Sequence, residues 1–149
     1  MAEITRKELI LALIGAGTTP RLAGVDLTAL DMTRLDLTGA SARAAKFVAA
    51  TLREAIMINA NLSFSDMTTV QAVGLDLNGA NLTGVNFSSS NLTSARFNNA
   101  NLTNATLNGA NLTGATLKGA TITGIKFNES TTWPDGKKGS QGNPISYTL

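Results

Sequence analysis

Three aspartates, Asp26, Asp31 and Asp36, recur at intervals of five. Of all the residues in the chain, they are the set best suited to acid–base chemistry or to holding a divalent cation. Either role requires the carboxyl groups to converge on one cleft. The rest of the usual catalytic inventory is missing. The 149 residues include no histidine and no cysteine, which removes the commonest general base, the commonest zinc ligand and any thiolate chemistry. No Gly-x-Ser-x-Gly or phosphate-binding loop occurs, and Gly15 and Gly17 form a lone Gly-x-Gly that follows no strand. The expectation is a protein with no catalytic residue, no cofactor and no metal site. Charge points the same way: 12 Lys+Arg against 10 Asp+Glu leaves a net charge of +2. A phosphate-binding surface would be more basic, and a nucleic-acid mimic far more acidic. The longest apolar stretch, around Leu9 to Ala16, is too short to cross a bilayer. Any partner is therefore expected to be a protein or a second copy of the chain, not nucleic acid or a membrane.

What positions the aspartates is a repeat of five residues. From Pro20 the chain reads PRLAG, VDLTA, LDMTR, LDLTG and onward to ANLTG, ATLKG, ATITG and IKFNE, giving 22 pentads to Glu129 with no insertion. The third position is always apolar, the first is small or aliphatic, the second is usually Asp, Asn or Thr, and the fifth is Gly in nine pentads. On an α-helix, fifth residues lie about 140° apart and would leave no buried stripe. On a continuous strand, an odd period would turn every second Leu to solvent. The period fits a very short strand followed by a corner, with Gly supplying a positive φ, and with coils stacked so that neighbours satisfy each other's backbone. Residues 41–58 are rich in helix formers, but the frame passes through them unbroken, which favours continuous coil.

ANLTG, ANLTN, ATLNG and LDLTG resemble the A(D/N)LXX consensus of the pentapeptide-repeat proteins, and the resemblance covers all of 20–129. It implies an all-β chain, a right-handed quadrilateral β-helix with four pentads per coil, hence about five and a half coils. It also places the first and third positions inside. With 20 residues per coil, Asp26 faces Lys46, Asp31 Thr51, Asp36 Ile56, Asp66 Asn86 and Asp76 Arg96. No acid then sits on an acid, although a 15-residue coil passes the same test. The expected core includes Leu27, Phe47, Leu62, Leu82, Phe87, Phe97, Leu102 and Phe127. Ala42 and Ala72 are small for third positions, with Phe47 and Met67 near enough to compensate. On a four-sided prism successive pentads face different sides, so Asp26, Asp31 and Asp36 should diverge and bond their local backbone.

The chain divides into 1–19, 20–129 and 130–149. In the first part Thr5 and Glu8 form a capping box ahead of Leu9, Leu11, Leu13 and Ile14, with Gly15 and Gly17 as the stop. This predicts a short helix whose Leu9 and Leu13 cover one open end, and Trp133 is placed over the other. The expected compartment is a bacterial cytoplasm; the alternative, a periplasm or lumen, would follow if residues 1–19, with Arg6 and Lys7 before an apolar run, served as an export signal. Asn61, Asn81 and Asn101, beside Ser63, Thr83 and Thr103, are expected to stack as an amide ladder. A remote alternative makes this ladder an ice-binding array. Val48, Ile56, Ile58, Phe64 and Val73 point outward in the first half of the repeats and form a candidate interaction surface. The function expected is thus that of a non-enzymatic scaffold for protein–protein interaction. The alternative, mimicry of DNA toward a type II topoisomerase, is what the resemblance implies for the quinolone-resistance members. It needs rows of acids, yet beyond Leu77 the repeats hold only Glu129.

Overall fold

The computed structural model describes residues 4–15 and 19–149, without the side chain of Ile14. Within it, each second-position residue forms a single parallel bridge with the residue 20 further on, from Arg21–Ser41 through Thr106–Lys126. A spacing of 20 is four pentads, so the coil length that charge pairing left open is fixed by backbone pairing. The polypeptide winds as a β-helix, each side one pentad wide. Between coils the third- and fifth-position N–H groups donate to carbonyls of the following coil, as in Leu22 to Ser41 (2.7 Å) and Gly24 to Arg43 (2.9 Å). The second-position N–H donates back to the coil before, as in Lys46 to Val25 (3.0 Å). Residues 41–58 follow the same pattern, and the helical alternative for them is excluded.

Every corner turns alike. The fifth residue has positive φ at all 21 corners from Gly24 to Gly124, nine of them glycine and twelve not. Glycine is therefore the easy solution at a corner but not the required one. The next first-position N–H closes the turn on the third-position carbonyl, as in Val25 to Leu22 at 3.1 Å.

The core runs up the centre of the coil. Leu27, Phe47, Leu62, Leu82, Phe87, Phe97 and Leu102 are buried, as are the small third-position Ala42 and Ala72. Phe87 and Phe97 meet edge to face at 6.1 Å between ring centres. Phe127 departs from expectation: it is 37% exposed. Among the described residues no further coil stacks on its side, and its ring instead meets Trp133 edge to face at 5.1 Å.

The pairing also runs past Glu129. Asn111 pairs with Thr132, an interval of 21, so one extra residue enters the coil between Phe127 and Thr131. Thr131, Thr132 and Trp133 then take first, second and third positions. Thr131 and Trp133 are buried, Leu112 donates to the Thr132 carbonyl (2.8 Å), and Gly114 donates to that of Pro134 (2.9 Å). Trp133 thus closes the stack as a member of a coil side. Its indole N–H donates to the Gly139 carbonyl at 2.8 Å, and its ring stacks on Tyr147 at 5.9 Å. On the adjoining side Gly119 donates to the Thr148 carbonyl (2.8 Å), so the tail supplies what a next coil would have supplied.

Helix α1 (Arg6–Gly15) precedes the coils. Its capping box forms as predicted: the Thr5 N–H donates to Glu8 Oε2 (2.7 Å), and the Glu8 N–H to Thr5 Oγ1 (3.2 Å). Leu9 is buried in the core, and Leu13 and Ile4 pack against it. Gly15 ends the helix, while Gly17 lies outside the described residues.

Candidate interaction surface

The bridges define four outward faces. Face 1 carries Arg21, Ser41, Asn61, Asn81, Asn101 and Thr121; face 2, Asp26, Lys46, Asp66, Asn86, Thr106 and Lys126; face 3, Asp31, Thr51, Gln71, Asn91 and Asn111; face 4, Asp36, Ile56, Asp76, Arg96 and Thr116. Asp26, Asp31 and Asp36 therefore stand on three different faces and do not converge. Each serves its own turn: Asp26 Oδ1 accepts from the Thr28 N–H, Asp31 from Thr33 and Asp36 from Thr38, all at 2.9 Å. The threonine hydroxyls and N–H groups hold these three carboxyls below the usual aspartate range.

Asparagines at the second position do the same, which explains the preference for Asp or Asn there with Thr or Ser two residues on. Asn81 Oδ1 accepts from both the backbone N–H (3.1 Å) and the hydroxyl (2.8 Å) of Thr83. Asn61 with Ser63 and Asn101 with Thr103 repeat the arrangement. Asn61, Asn81 and Asn101 do stack, but the expected ladder of amide bonds is replaced by bonds inside each turn, because the nearest donors lie two residues along the chain. A true inter-coil rung forms elsewhere, on face 4. There Asn78 Oδ1 accepts from the Asn98 N–H (2.9 Å) and Asn98 Oδ1 from the Lys118 N–H (3.1 Å).

The five apolar candidates are not gathered. Val48 belongs to face 2, Val73 to face 3, Ile56 and Ile58 to face 4, and Phe64 to the corner ending face 1. Val48, Ile56, Ile58 and Val73 are half-buried between neighbouring coils; Phe64 is 58% exposed. The single patch expected from sequence resolves into one adjacent pair, Ile56 and Ile58, and one prominent ring. Arg43 lies over that ring, its guanidinium carbon 5.6 Å from the ring centre. Sequence reasoning overlooked Arg43. The signal was available, since Arg43 and Phe64 differ by 21 and so become neighbours once the coil holds 20 residues.

Ion pairs form on faces 3 and 4. Arg96 pairs with the buried Asp76 (3.0 Å) and Arg34 with Glu54 (2.7 Å). In the C-terminal tail Lys137 pairs with Asp135 at 2.8 Å. Among the described residues no three His, Cys, Asp or Glu side chains gather as a metal site, and no helix is long and apolar enough to cross a membrane.

Turns that recur every five residues and a backbone that pairs every 20 define a β-helix of four pentads per coil. Eight copies of the Pentapeptide repeats family match within residues 21–131, and the chain belongs to that family. The fold is also that of Rfr23, a pentapeptide repeat protein of the cyanobacterium Cyanothece 51142. That protein is 22% identical, with 87% of this chain and 99% of Rfr23 covered at a TM-score of 0.78. A pentapeptide repeat protein of the Arabidopsis thaliana thylakoid lumen is 28% identical, covering 85% of this chain and 83% of its own, at a TM-score of 0.39. QnrB1, a plasmid-mediated fluoroquinolone resistance protein, is 21% identical over 77% of this chain and 65% of its own, at a TM-score of 0.41. No curated protein matches.

Proposed function

We infer that the protein works without catalysis, as a rigid scaffold whose outer faces bind another protein. The observation that carries this reading is the unbroken ladder from Arg21 to Lys126, with every corner from Gly24 to Gly124 in one backbone conformation. Such a frame holds outward side chains at fixed spacing, so ordering them costs little on binding. The second-position acids and amides serve their own turns, which leaves them structural duties and no shared cleft. On this reading the in-phase array of about five and a half coils is residues 20–129, followed by the out-of-phase unit that begins at Thr131. Residues 1–19 close one end through Leu9 and Leu13, and residues 130–149 close the other through Trp133. A cytoplasmic site of action accompanies the proposal.

DNA mimicry toward a topoisomerase is the weaker reading. Asp76 is neutralised by Arg96 and Asp31 lies 3.7 Å from Arg6, whereas a phosphate-like row needs its charges unpaired. Site-specific photo-crosslinking in the source cell tests the scaffold reading, with the crosslinker placed in turn at Val48, Ile56, Ile58, Phe64 and Val73. Discrete protein adducts are expected from at least one position; no adduct from any of the five overturns it. Gyrase supercoiling is expected to continue in the presence of low micromolar protein.

A further inference from the structure

Face 1 differs from the other three in charge. Its outward positions from Arg21 to Gly124 include Arg21 and Arg43 but no Asp or Glu. Face 2 carries Asp26 and Asp66, face 3 Asp31 and Glu54, and face 4 Asp36 and Asp76. At the corner that ends face 1 stands Phe64, with φ of +60°. A bulky side chain is unusual in that conformation, and the other non-glycine corners hold only Ala, Ser, Thr, Asn, Arg or Glu.

The fold does not call for a ring there. Phe64 covers Gly84 in the following coil, where a Cβ would collide with the ring. Asn59, Asn99 and Asn104 cover Gly79, Gly119 and Gly124 in the same way. Asparagine, which tolerates the left-handed region, fills this place at three corners, and Glu54, Ser89 and Ser94 lie under Gly74, Gly109 and Gly114, so a ring is not required there. The left-handed backbone is the frame's own at every corner, so what sets Phe64 apart is the large apolar ring held there, 58% exposed. Arg43 supplies the second, independent observation. Its guanidinium lies over the ring, and among the described residues it makes no ion pair. A guanidinium stacked on an aromatic face keeps its N–H edge free for bidentate binding of a carboxylate.

We propose that Phe64, Arg43 and Arg21 form a docking site for an extended acidic segment of a partner protein, an apolar or aromatic side chain of which rests on Phe64. The proposal rests on the scaffold reading above and names the partner's chemistry. A nucleic acid fits less well, since backbone tracking needs a broad basic stripe and face 1 offers only two arginines, on successive coils at one end of the stack.

The test uses the full chain and a short fluorescein-labelled peptide of alternating Glu and Tyr. A matched Lys–Tyr peptide and an oligothymidylate are the competitors. The Glu–Tyr peptide is expected to bind with a Kd below about 1 mM and to shift amide resonances of Arg21, Arg43 and Phe64. Phe64→Asn should melt at the same temperature or higher and bind at least about tenfold more weakly; Arg43→Ala should weaken binding comparably. Four outcomes overturn the proposal: no binding of the Glu–Tyr peptide, equal binding of the Lys–Tyr peptide or the oligothymidylate, unchanged affinity of Phe64→Asn, or a clear loss of its thermal stability. Photo-crosslinked adducts at Ile56 or Ile58 on face 4, together with no Glu–Tyr binding, would refute this site and leave the scaffold reading standing.

Discussion

Leu82→Ala tests how firmly the stack holds its core. Leu82 is buried, and its neighbours in the same inward column are Leu62 below and Leu102 above, both buried. Removing the isopropyl group forfeits roughly 2.4 kcal/mol of transfer free energy, at about 0.8 kcal/mol per buried carbon. A cavity term follows. The backbone on either side is pinned by the Asn61–Asn81 and Asn81–Asn101 bridges, so coils cannot draw together to fill the space. A residual void of about 50 Å³ at about 24 cal/mol per Å³ adds roughly 1.2 kcal/mol. The expected cost is about 3–4 kcal/mol, read from urea unfolding followed by far-UV circular dichroism. Because repeat arrays can lose two-state behaviour, the comparison holds only if the slope with denaturant is unchanged. A cost below about 1 kcal/mol at equal slope would show that the coils do collapse, and the inward packing described here would be wrong.

Two further predictions concern the ends. The Arg6 guanidinium donates to the carbonyls of Asp31 (2.5 Å) and Thr33 (3.0 Å), so Arg6→Ala should cost about 1–2 kcal/mol. A melting temperature indistinguishable from wild type would show that these carbonyls are equally content in water. At the other end the Lys137 ammonium, with further bonds from the Lys137 N–H and the Tyr147 hydroxyl, lowers the Asp135 carboxyl from 3.8 to about 2. A pKa depressed in the folded state stabilises the fold above the unfolded value, and that contribution is lost as pH falls through about 2. Carboxyl NMR should therefore find the Asp135 midpoint well under 3.8, and Lys137→Ala should raise it; a wild-type midpoint at 3.8 or above would contradict the Asp135–Lys137 geometry.

The inward half of the fold was legible because burial imposes a strict letter at the third position, and Leu27, Leu62, Leu82 and Leu102 are where the period puts them. The coil length was not, since no local residue records which pentad lies four units away; the pairing of Asp76 with Arg96 fits but does not require it. The extra residue before Thr131 is invisible to a frame kept strictly in fives. One residue out of phase, Thr131-Thr132-Trp133-Pro134-Asp135 reads as a further unit with small, polar and apolar residues in the right order. Phe127 is exposed for a related reason: a third position is fully buried only when a coil lies on both sides of it. Of the candidate surface, only outwardness could be read from the pentad. Which outward residues become neighbours depends on the coil length, and so the Arg43–Phe64 pair became visible only in three dimensions.

The two ends of the stack also show how a directional ladder is closed. Each interior coil presents its third- and fifth-position N–H groups toward the C-terminal end and its second- and fourth-position carbonyls toward the N-terminal end. An open first coil is therefore rich in unmet acceptors, and an open last coil in unmet donors. The chain answers each with the opposite chemistry. Arg6, whose guanidinium carries donors in a planar fork, spans the carbonyls of Asp31 and Thr33, the second and fourth positions of one pentad, as a preceding coil's two N–H groups would. At the far end a backbone carbonyl, that of Thr148, accepts from Gly119. A cation at the first edge and a carbonyl at the last follow from the polarity of the ladder itself, and exchanging them would leave both edges facing like groups.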